Sequence, residues 1–428
     1  MQTQSPRSTA IADTTRARRL RRIRVIALGL LVIAGCVNYL DRSAVAIANA
    51  PIRESLGLSR IEMGILLSAF SWSYGLSQIP VGMLIDRYGP RRLLTIGLCV
   101  WSVAQAAAGM VGGLIPFIGA RLALGIGESP LYLAGTKVCT AWWGPRDRAL
   151  PIGIFNASSA LGPAIAPPLL TLLMLAFGWR IAFIVIGASG LVVAVAWHAL
   201  YRDPKPGERP FADTPATIAD SEPTSWRDLL RTRTSWAMAL GFFGVVYTIW
   251  LYGSWLPDYL HSVLHLTLRQ VGIWAAVPQL CGFGGALLGG AISHALGRRG
   301  VSPIASCTRP LIAAMLLGAA ATLGLAFCHA AGPAIILASL ALFCANLASS
   351  CGWALAAVAT TSGSVATLEA IQNVGGSIGG ALAPIVTGGV VQATGSFTPA
   401  LVTGAAIGMS AAFVYWIGVR DPNARTAL

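Results

Sequence analysis

The sequence predicts an all-α membrane protein with twelve transmembrane helices arranged as two pseudo-symmetric bundles of six helices. Of its 428 residues, 55% are hydrophobic and only 11% are charged, whereas about a quarter of the residues of a soluble domain are charged. A bilayer core about 30 Å thick requires roughly 20 apolar residues per helix. Runs of that length, separated by charged or Pro/Gly-rich breaks, occur twelve times.

The spans fall into two groups of six, separated by a segment rich in acidic residues and proline. Such a composition is typical of a solvated connection. We therefore predict five regions: a basic cytoplasmic tail at 1–24, a first six-helix bundle at 25–200, a cytoplasmic linker at 201–233, a second bundle at 234–419 and a cytoplasmic tail at 420–428.

The formal net charge of +14 would suggest nucleic-acid binding in a soluble protein, but its distribution indicates membrane topology instead. Of the 30 lysine and arginine residues, 24 fall in the tails, the linker and the loops on one side of the predicted bundle, and four fall on the other side. The positive-inside rule places both termini and the linker in the cytoplasm. We expect a multi-pass protein of the bacterial inner membrane that binds no nucleic acid.

Two inner loops indicate an internal repeat. They are "GMLIDRYGPRRL" at 82–93 and "GGAISHALGRRG" at 289–300. When the two segments are aligned, two glycines and one arginine of the first match those of the second at a constant offset of 208 residues, which is about half of the chain. These segments are predicted to be tight turns. They are either topology-setting turns alone or part of a gate, in which case the gating residues are Asp86, Arg87, Gly89, Arg91 and Arg148.

Two pairs of charged residues lie inside predicted spans, where each charge costs from about 2.5 to more than 10 kcal/mol. Asp41 and Arg42 are adjacent in the first span, and Arg121 and Glu128 lie seven residues apart on one face of the fourth. They could neutralise one another as structural pairs, but buried ion pairs are weak sources of stability. The alternative chemistry is anion binding at either arginine, linked to proton uptake at either carboxylate.

The motifs resemble a known family. The 82–93 loop, the twelve spans and the central linker resemble the major facilitator superfamily. The segments "NYLDR", "FSWSYGLSQIPVGMLIDRYG", "RLALGIGESP" and "IFNASS" are similar to its anion:cation symporter branch, which includes bacterial hexuronate, aldonate and glucarate transporters. This resemblance implies a secondary transporter that imports a small organic anion, specifically a sugar acid, with protons by alternating access.

The resemblance also implies roles for individual residues. Arg42 would hold the substrate carboxylate, Asp41 would couple with Arg121, and Glu128 would carry the proton. Further substrate contacts are expected at Tyr39, Tyr74, Ser159, Ser350, Trp353 and Asn373. Ser159 is a departure, since many members of the branch have glutamine there, and the tyrosines and the tryptophan could instead be packing residues or interface anchors.

The sequence contains no ATP-binding motif, so an ion gradient is the expected driving force. We expect no catalytic residue, no metal and no cofactor besides protons as the coupling ion. The expected partners are the organic anion, protons and the lipid bilayer, and the expected state is a monomer. Two alternatives stay open: a symporter or exchanger of another carboxylate, such as an aromatic acid or a dicarboxylate, and a membrane sensor that does not transport.

Overall fold

The computed structural model describes residues 6–143, 149–204, 208, 226–359 and 365–419. Every regular element within these residues is an α-helix. In chain order the helices are α1 Pro6–Ile47, α2 Asn49–Leu56, α3 Arg60–Tyr88, α4 Pro90–Ala108, α5 Leu114–Glu128, α6 Pro130–Trp142, α7 Ala149–Leu200, α8 Trp226–Arg231, α9 Arg233–Ser262, α10 Leu268–Trp274, α11 Ala276–Arg298, α12 Pro303–Ala326, α13 Ala331–Ala359, α14 Val365–Thr394 and α15 Thr398–Gly418.

The described residues contain the twelve predicted spans. Within the described ranges, nine segments are long and apolar enough to cross a membrane. One of them, Pro151–Leu200, has 50 residues and is interrupted at Gly178, whose φ is 77°. At 1.5 Å per residue it is about twice as long as one crossing requires, so it supplies two spans. The less apolar helices α3 and α4, with 29 and 19 residues, complete the twelve.

One inner segment is more helical than predicted, and one span is divided. Helix α3 continues through the 82–93 motif to Tyr88, so the turn is confined to Gly89, whose φ of 85° favours glycine. Pro90 then begins α4. In the fourth span, the helix is divided at Ser129 because Pro130 begins α6.

The two halves, α1–α7 and α9–α15, repeat each other at their outer ends as well. We call "outer" the end that carries α2 and the 263–267 loop, opposite both chain termini. Helix α3 begins with a capping box between Ser59 and Glu62, and α10 begins with one between Thr267 and Gln270. Ser59 precedes Thr267 by 208 residues, and Glu62 precedes Gln270 by the same number. This is also the offset between the inner loops.

The halves meet closely where α3 lies against α14. The hydroxyl of Ser68 donates to the carbonyl of Ala381, and the backbone N–H of Ile61 donates to Gln392 Oε1 at 2.9 Å. Two glycines permit this approach: a Cβ at Gly64 would lie 2.6 Å from the carbonyl oxygen of Pro384, and one at Gly388 would lie 2.6 Å from that of Arg60. These contacts lie in the outer half of the bundle.

Helix α14 also packs closely on α9 through its glycines, and this packing yields a stability prediction. A Cβ at Gly379 would overlap the carbonyl oxygen of Phe243, whereas one at Gly389 would lie 3.8 Å from Ile61 Cδ1. Overpacking a close helix contact costs about 1–3 kcal/mol. We expect Gly379→Ala to lower the melting temperature of the solubilised protein and Gly389→Ala to leave it unchanged. Equal melting temperatures would contradict this account.

Candidate charge cluster in the first half

Helices α1 and α5 bring together two of the charges predicted inside the membrane. The Nε of Arg42 donates to Oε2 of Glu128 at 2.8 Å. The side chain of Glu128 is fully buried, and that of Arg42 is 10% exposed. A hydrogen-bonded ion pair between a guanidinium and a carboxylate is strong, and removal of either partner leaves the other charge buried.

The other two charges lie beside this pair without forming such a bond. Asp41 and Arg121 are 0% and 2% exposed. Asp41 interacts electrostatically with Glu128, Arg121 and Arg42, yet neither of its carboxylate oxygens has a hydrogen-bond partner among the described residues. The same is true of Nε and Nη1 of Arg121. We call these four residues, Asp41, Arg42, Arg121 and Glu128, the charge cluster.

Aromatic rings surround the arginines of the charge cluster. The guanidinium carbon of Arg42 lies 5.0 Å from the ring centroid of Tyr39, 4.8 Å from that of Phe70 and 4.5 Å from that of Tyr74. The guanidinium carbon of Arg121 lies 5.1 Å from the Phe70 centroid. Cation–π attraction holds a guanidinium over a ring at these distances, so Phe70 orients both arginines.

Helix geometry explains why these side chains converge. Tyr39 and Arg42 are three residues apart on α1, and Phe70 and Tyr74 are four apart on α3, so each pair shares one helix face. Gly125 of α5 lets α3 approach, since a Cβ there would lie 2.6 Å from the carbonyl oxygen of Phe70. The site is therefore built on packed helices and not on loops.

The three substrate contacts predicted in the second half are found on α13 and α14. Ser350 packs on α11, since a Cβ placed at Gly289 would lie 3.1 Å from the Cβ of Ser350. Trp353 is 40% exposed and its ring meets Phe242 edge to face at 5.3 Å. Asn373 is exposed on α14. Among the described residues, none of the three forms a hydrogen bond or ring contact with the charge cluster.

The remaining predicted residues lie in α7 and at the inner end. The hydroxyl of Ser159 donates to the carbonyl of Asn156 within α7 at 2.7 Å. Arg87 lies over the ring of Tyr88 at 5.3 Å. Arg91 donates to the carbonyl of His198 at 2.6 Å and is thus tied to its own half. Arg148 and the side chain of Asp86 fall outside the described residues.

Sequence reasoning missed three aromatic residues of this region. They are Phe70, Tyr132, which interacts electrostatically with Arg42, and Trp250 of α9, whose ring centroid lies 6.4 Å from that of Phe70. Periodicity could have identified two of them. Phe70 lies four residues before Tyr74, and Tyr132 lies four residues after Glu128. Trp250 brings the second half to the edge of the site, and no local pattern indicates this contact.

Comparisons with known proteins agree with the motifs. Residues 31–368 match the family model of the Major Facilitator Superfamily. The chain is 41% identical over 415 residues to the probable L-galactonate transporter of Escherichia coli (strain K12), covering 95% of this chain and 92% of that protein. It is 30% identical over 418 residues to the D-galactonate transporter of Escherichia coli O6:H1, covering 94% and 96%.

A solved structure shares the fold. A bacterial homologue of the human lysosomal transporter Spinster, crystallised in an inward-facing and unoccupied conformation, superposes with a TM-score of 0.77 at 18% identity, covering 94% of this chain and 99% of that one. The family match, the two relatives and the shared fold agree with the helix order described above. The chain is a multi-pass membrane transporter that belongs to the Major Facilitator Superfamily, in its anion:cation symporter branch.

Proposed function

We propose that the protein imports a sugar acid by proton symport through alternating access, with an aldonate such as galactonate as its substrate. The observation that carries this proposal is the buried Arg42–Glu128 pair, which lies beside Asp41 and Arg121. Both carboxylate oxygens of Asp41 and the Nε and Nη1 of Arg121 have no hydrogen-bond partner among the described residues. The names of the two galactonate transporters support the substrate class. We place the carrier in a bacterial cytoplasmic membrane, as a monomer with both termini in the cytoplasm.

The charge balance of the cluster links the anion to a proton. The two arginines and two carboxylates sum to zero, and a net charge buried among helices is costly. Binding a monocarboxylate would leave one excess negative charge, which one proton on a cluster carboxylate removes. Protonation of Glu128 would also release Arg42 to donate to the substrate, since a neutral carboxyl is a weaker acceptor. One proton for each monocarboxylate is the expected ratio.

The contacts between the halves support alternating access around this site. The described close contacts between α3 and α14 are nearer to the outer end than the charge cluster is. Such an arrangement corresponds to a carrier closed on its outer side, as in the inward-facing neighbour. Rocking of the halves about a fixed central site would expose the charge cluster to each side in turn.

Uptake by reconstituted protein tests the proposal. We expect proteoliposomes to accumulate radiolabelled L- or D-galactonate against its gradient when the external pH is lower than the internal pH. A protonophore should abolish accumulation, and empty liposomes serve as the control. A failure of the purified protein to move either acid, even down its gradient, would overturn galactonate as the substrate.

One observation favours a second candidate substrate, an aromatic carboxylate. The rings of Tyr39, Phe70 and Tyr74 around Arg42 offer apolar faces that would suit an aromatic ring as well as a guanidinium. Competition decides between the classes. A hydroxybenzoate that inhibits uptake more strongly than galactonate, and is itself accumulated, would establish the aromatic acid as the substrate.

A further inference from the structure

A second group of charged side chains lies at the outer end, around a cavity of about 600 Å³. We call it the outer cavity. Both halves line it: Arg53, Glu54 and Arg60 come from α2 and α3, and Asp258, His261 and His265 come from the end of α9 and the loop that follows. Glu54 is exposed and interacts electrostatically with Arg53, so two arginines and two carboxylates line the cavity. Its volume is in the range of ligand-binding pockets. None of these residues belongs to the charge cluster.

An incomplete ion triad joins the halves in the outer cavity. Arg53 Nη1 lies 3.3 Å from Asp258 Oδ1, and Arg60 Nε lies 3.7 Å from Asp258 Oδ2. Asp258 is 2% exposed, whereas the arginine side chains are 21% and 28% exposed. The second distance exceeds that of a hydrogen bond, and Asp258 Oδ2 has no hydrogen-bond partner among the described residues. A buried carboxylate is thus only partly satisfied by two accessible arginines.

The internal repeat accounts for the position of the outer cavity. At the offset of 208 residues, Arg53 corresponds to His261 and Gly57 to His265. Gly57 and His265 both have left-handed backbone conformations, with φ of 66° and 52°. Glycine adopts this conformation freely, whereas in histidine the Cβ makes it strained. Equivalent segments of the two halves therefore face one another across the cavity, and the second half keeps an imidazole there in spite of strain.

We propose that the outer cavity is an anion-receiving site, in which the carboxylate of an arriving sugar acid replaces Asp258 on Arg53 and Arg60. The proposal rests on the proposed function for the identity of the anion. A substrate carboxylate has the same chemistry as Asp258 and can form the two-point contact that the aspartate forms only loosely. Because Asp258 belongs to the other half, its displacement removes an ionic contact between the halves and favours opening of the outer end.

The same triad could instead be a latch that holds the outer end closed and never contacts the substrate. The two roles predict different directions for the change in the external KM when Asp258 is replaced. In a latch, removal of any member loosens the outer closure, so Arg53→Gln, Arg60→Gln and Asp258→Asn should change the external KM in the same direction. In an anion-receiving site the arginines attract the substrate and Asp258 competes with it. The arginine variants should then raise the external KM, and the aspartate variant should lower it.

Galactonate uptake by intact cells measures the external KM, and everted membrane vesicles measure the KM at the inner face. We expect Arg53→Gln and Arg60→Gln each to raise the external KM about three- to tenfold, as for loss of one partly exposed charge contact. Asp258→Asn should lower it about threefold. The matched control is Arg269→Gln, an exposed arginine at the same end that does not line the cavity. The KM at the inner face should not change in any of the four.

A binding measurement keeps this proposal separate from the transport function. In Arg42→Ala, which lacks the central anchor, we expect weak galactonate binding to persist by thermal stabilisation of the purified protein. Adding Arg53→Gln should abolish it, and adding Arg269→Gln should preserve it. Loss of transport in the wild type with this binding pattern intact would overturn the proposed function alone. Equal effects of the two added changes, or external KM changes of one sign, would overturn the anion-receiving site.

Discussion

Replacing Arg42 by alanine is expected to lower galactonate uptake at least about 30-fold, the largest single loss that the structure predicts. The Nε of Arg42 is bonded to Glu128, and its Nη2 has no hydrogen-bond partner among the described residues. Truncating one partner of a buried charge pair costs about 2–5 kcal/mol, and each 1.4 kcal/mol is about a factor of ten in affinity. Initial rates of uptake and galactonate binding by the purified variant measure the loss.

A double variant separates an anchor for the substrate from a structural partner of Glu128. If Arg42 serves only to neutralise the glutamate, Arg42→Ala/Glu128→Gln should regain galactonate binding, because neither buried charge then lacks its partner. If Arg42 binds the anion, the double variant should bind no better than Arg42→Ala. Arg309→Ala, at an exposed arginine of α12, is the matched control and should retain wild-type uptake. Restored binding in the double variant would contradict the anchor role.

The sequence predicted which charges lie on which helix face, because the pitch of an α-helix is fixed. The spacing of Arg121 and Glu128 alone places them on one face of a helix, and the adjacency of Asp41 and Arg42 needs no structure. Pairing across helices depends on how α1, α3 and α5 pack. The sequence allowed two pairs, and the structure forms the hydrogen bond of only one, between Arg42 and Glu128.

Contacts between the halves were beyond sequence reasoning for a related reason. Arg53 and Asp258 are 205 residues apart, and neither belongs to a motif. The capping boxes at Ser59 and Thr267 were readable in the sequence at the repeat offset, but only the structure relates them to a cavity. The two halves differ at the position of the charge cluster. Trp250 occupies the position that corresponds to Arg42, and its ring meets Phe70 at the edge of the charge cluster.

The confinement of the charge cluster to the first half simplifies its role. All four charged residues come from α1 and α5, so their mutual geometry is set within one bundle and does not depend on the relative position of the halves. In the proposed alternating access, only the side of the membrane that reaches them would change. Under the proposed function, a proton and an anion would therefore bind the same cluster from one side and leave it on the other.

Glu128→Gln is expected to separate binding from coupling. Glutamine keeps the shape of the glutamate and offers Arg42 a carbonyl oxygen, but it carries no charge. The remaining cluster charges, on Asp41, Arg42 and Arg121, sum to one positive charge, which a monocarboxylate neutralises without a proton. We expect the variant to bind galactonate as tightly as the wild type or more tightly, with no dependence on pH. It should exchange labelled for unlabelled galactonate but fail to accumulate it under a proton gradient.

Asp41→Asn is the matched control, since it removes the other buried carboxylate of the same cluster. If Glu128 carries the coupling proton, Asp41→Asn should weaken transport and still leave accumulation dependent on the proton gradient, because Glu128 remains able to bind and release a proton. Counterflow and gradient-driven accumulation, measured in the same proteoliposomes for both variants, distinguish the two carboxylates. Accumulation that survives in Glu128→Gln and disappears in Asp41→Asn would move the proton site to Asp41, which interacts with Arg121 without a hydrogen bond.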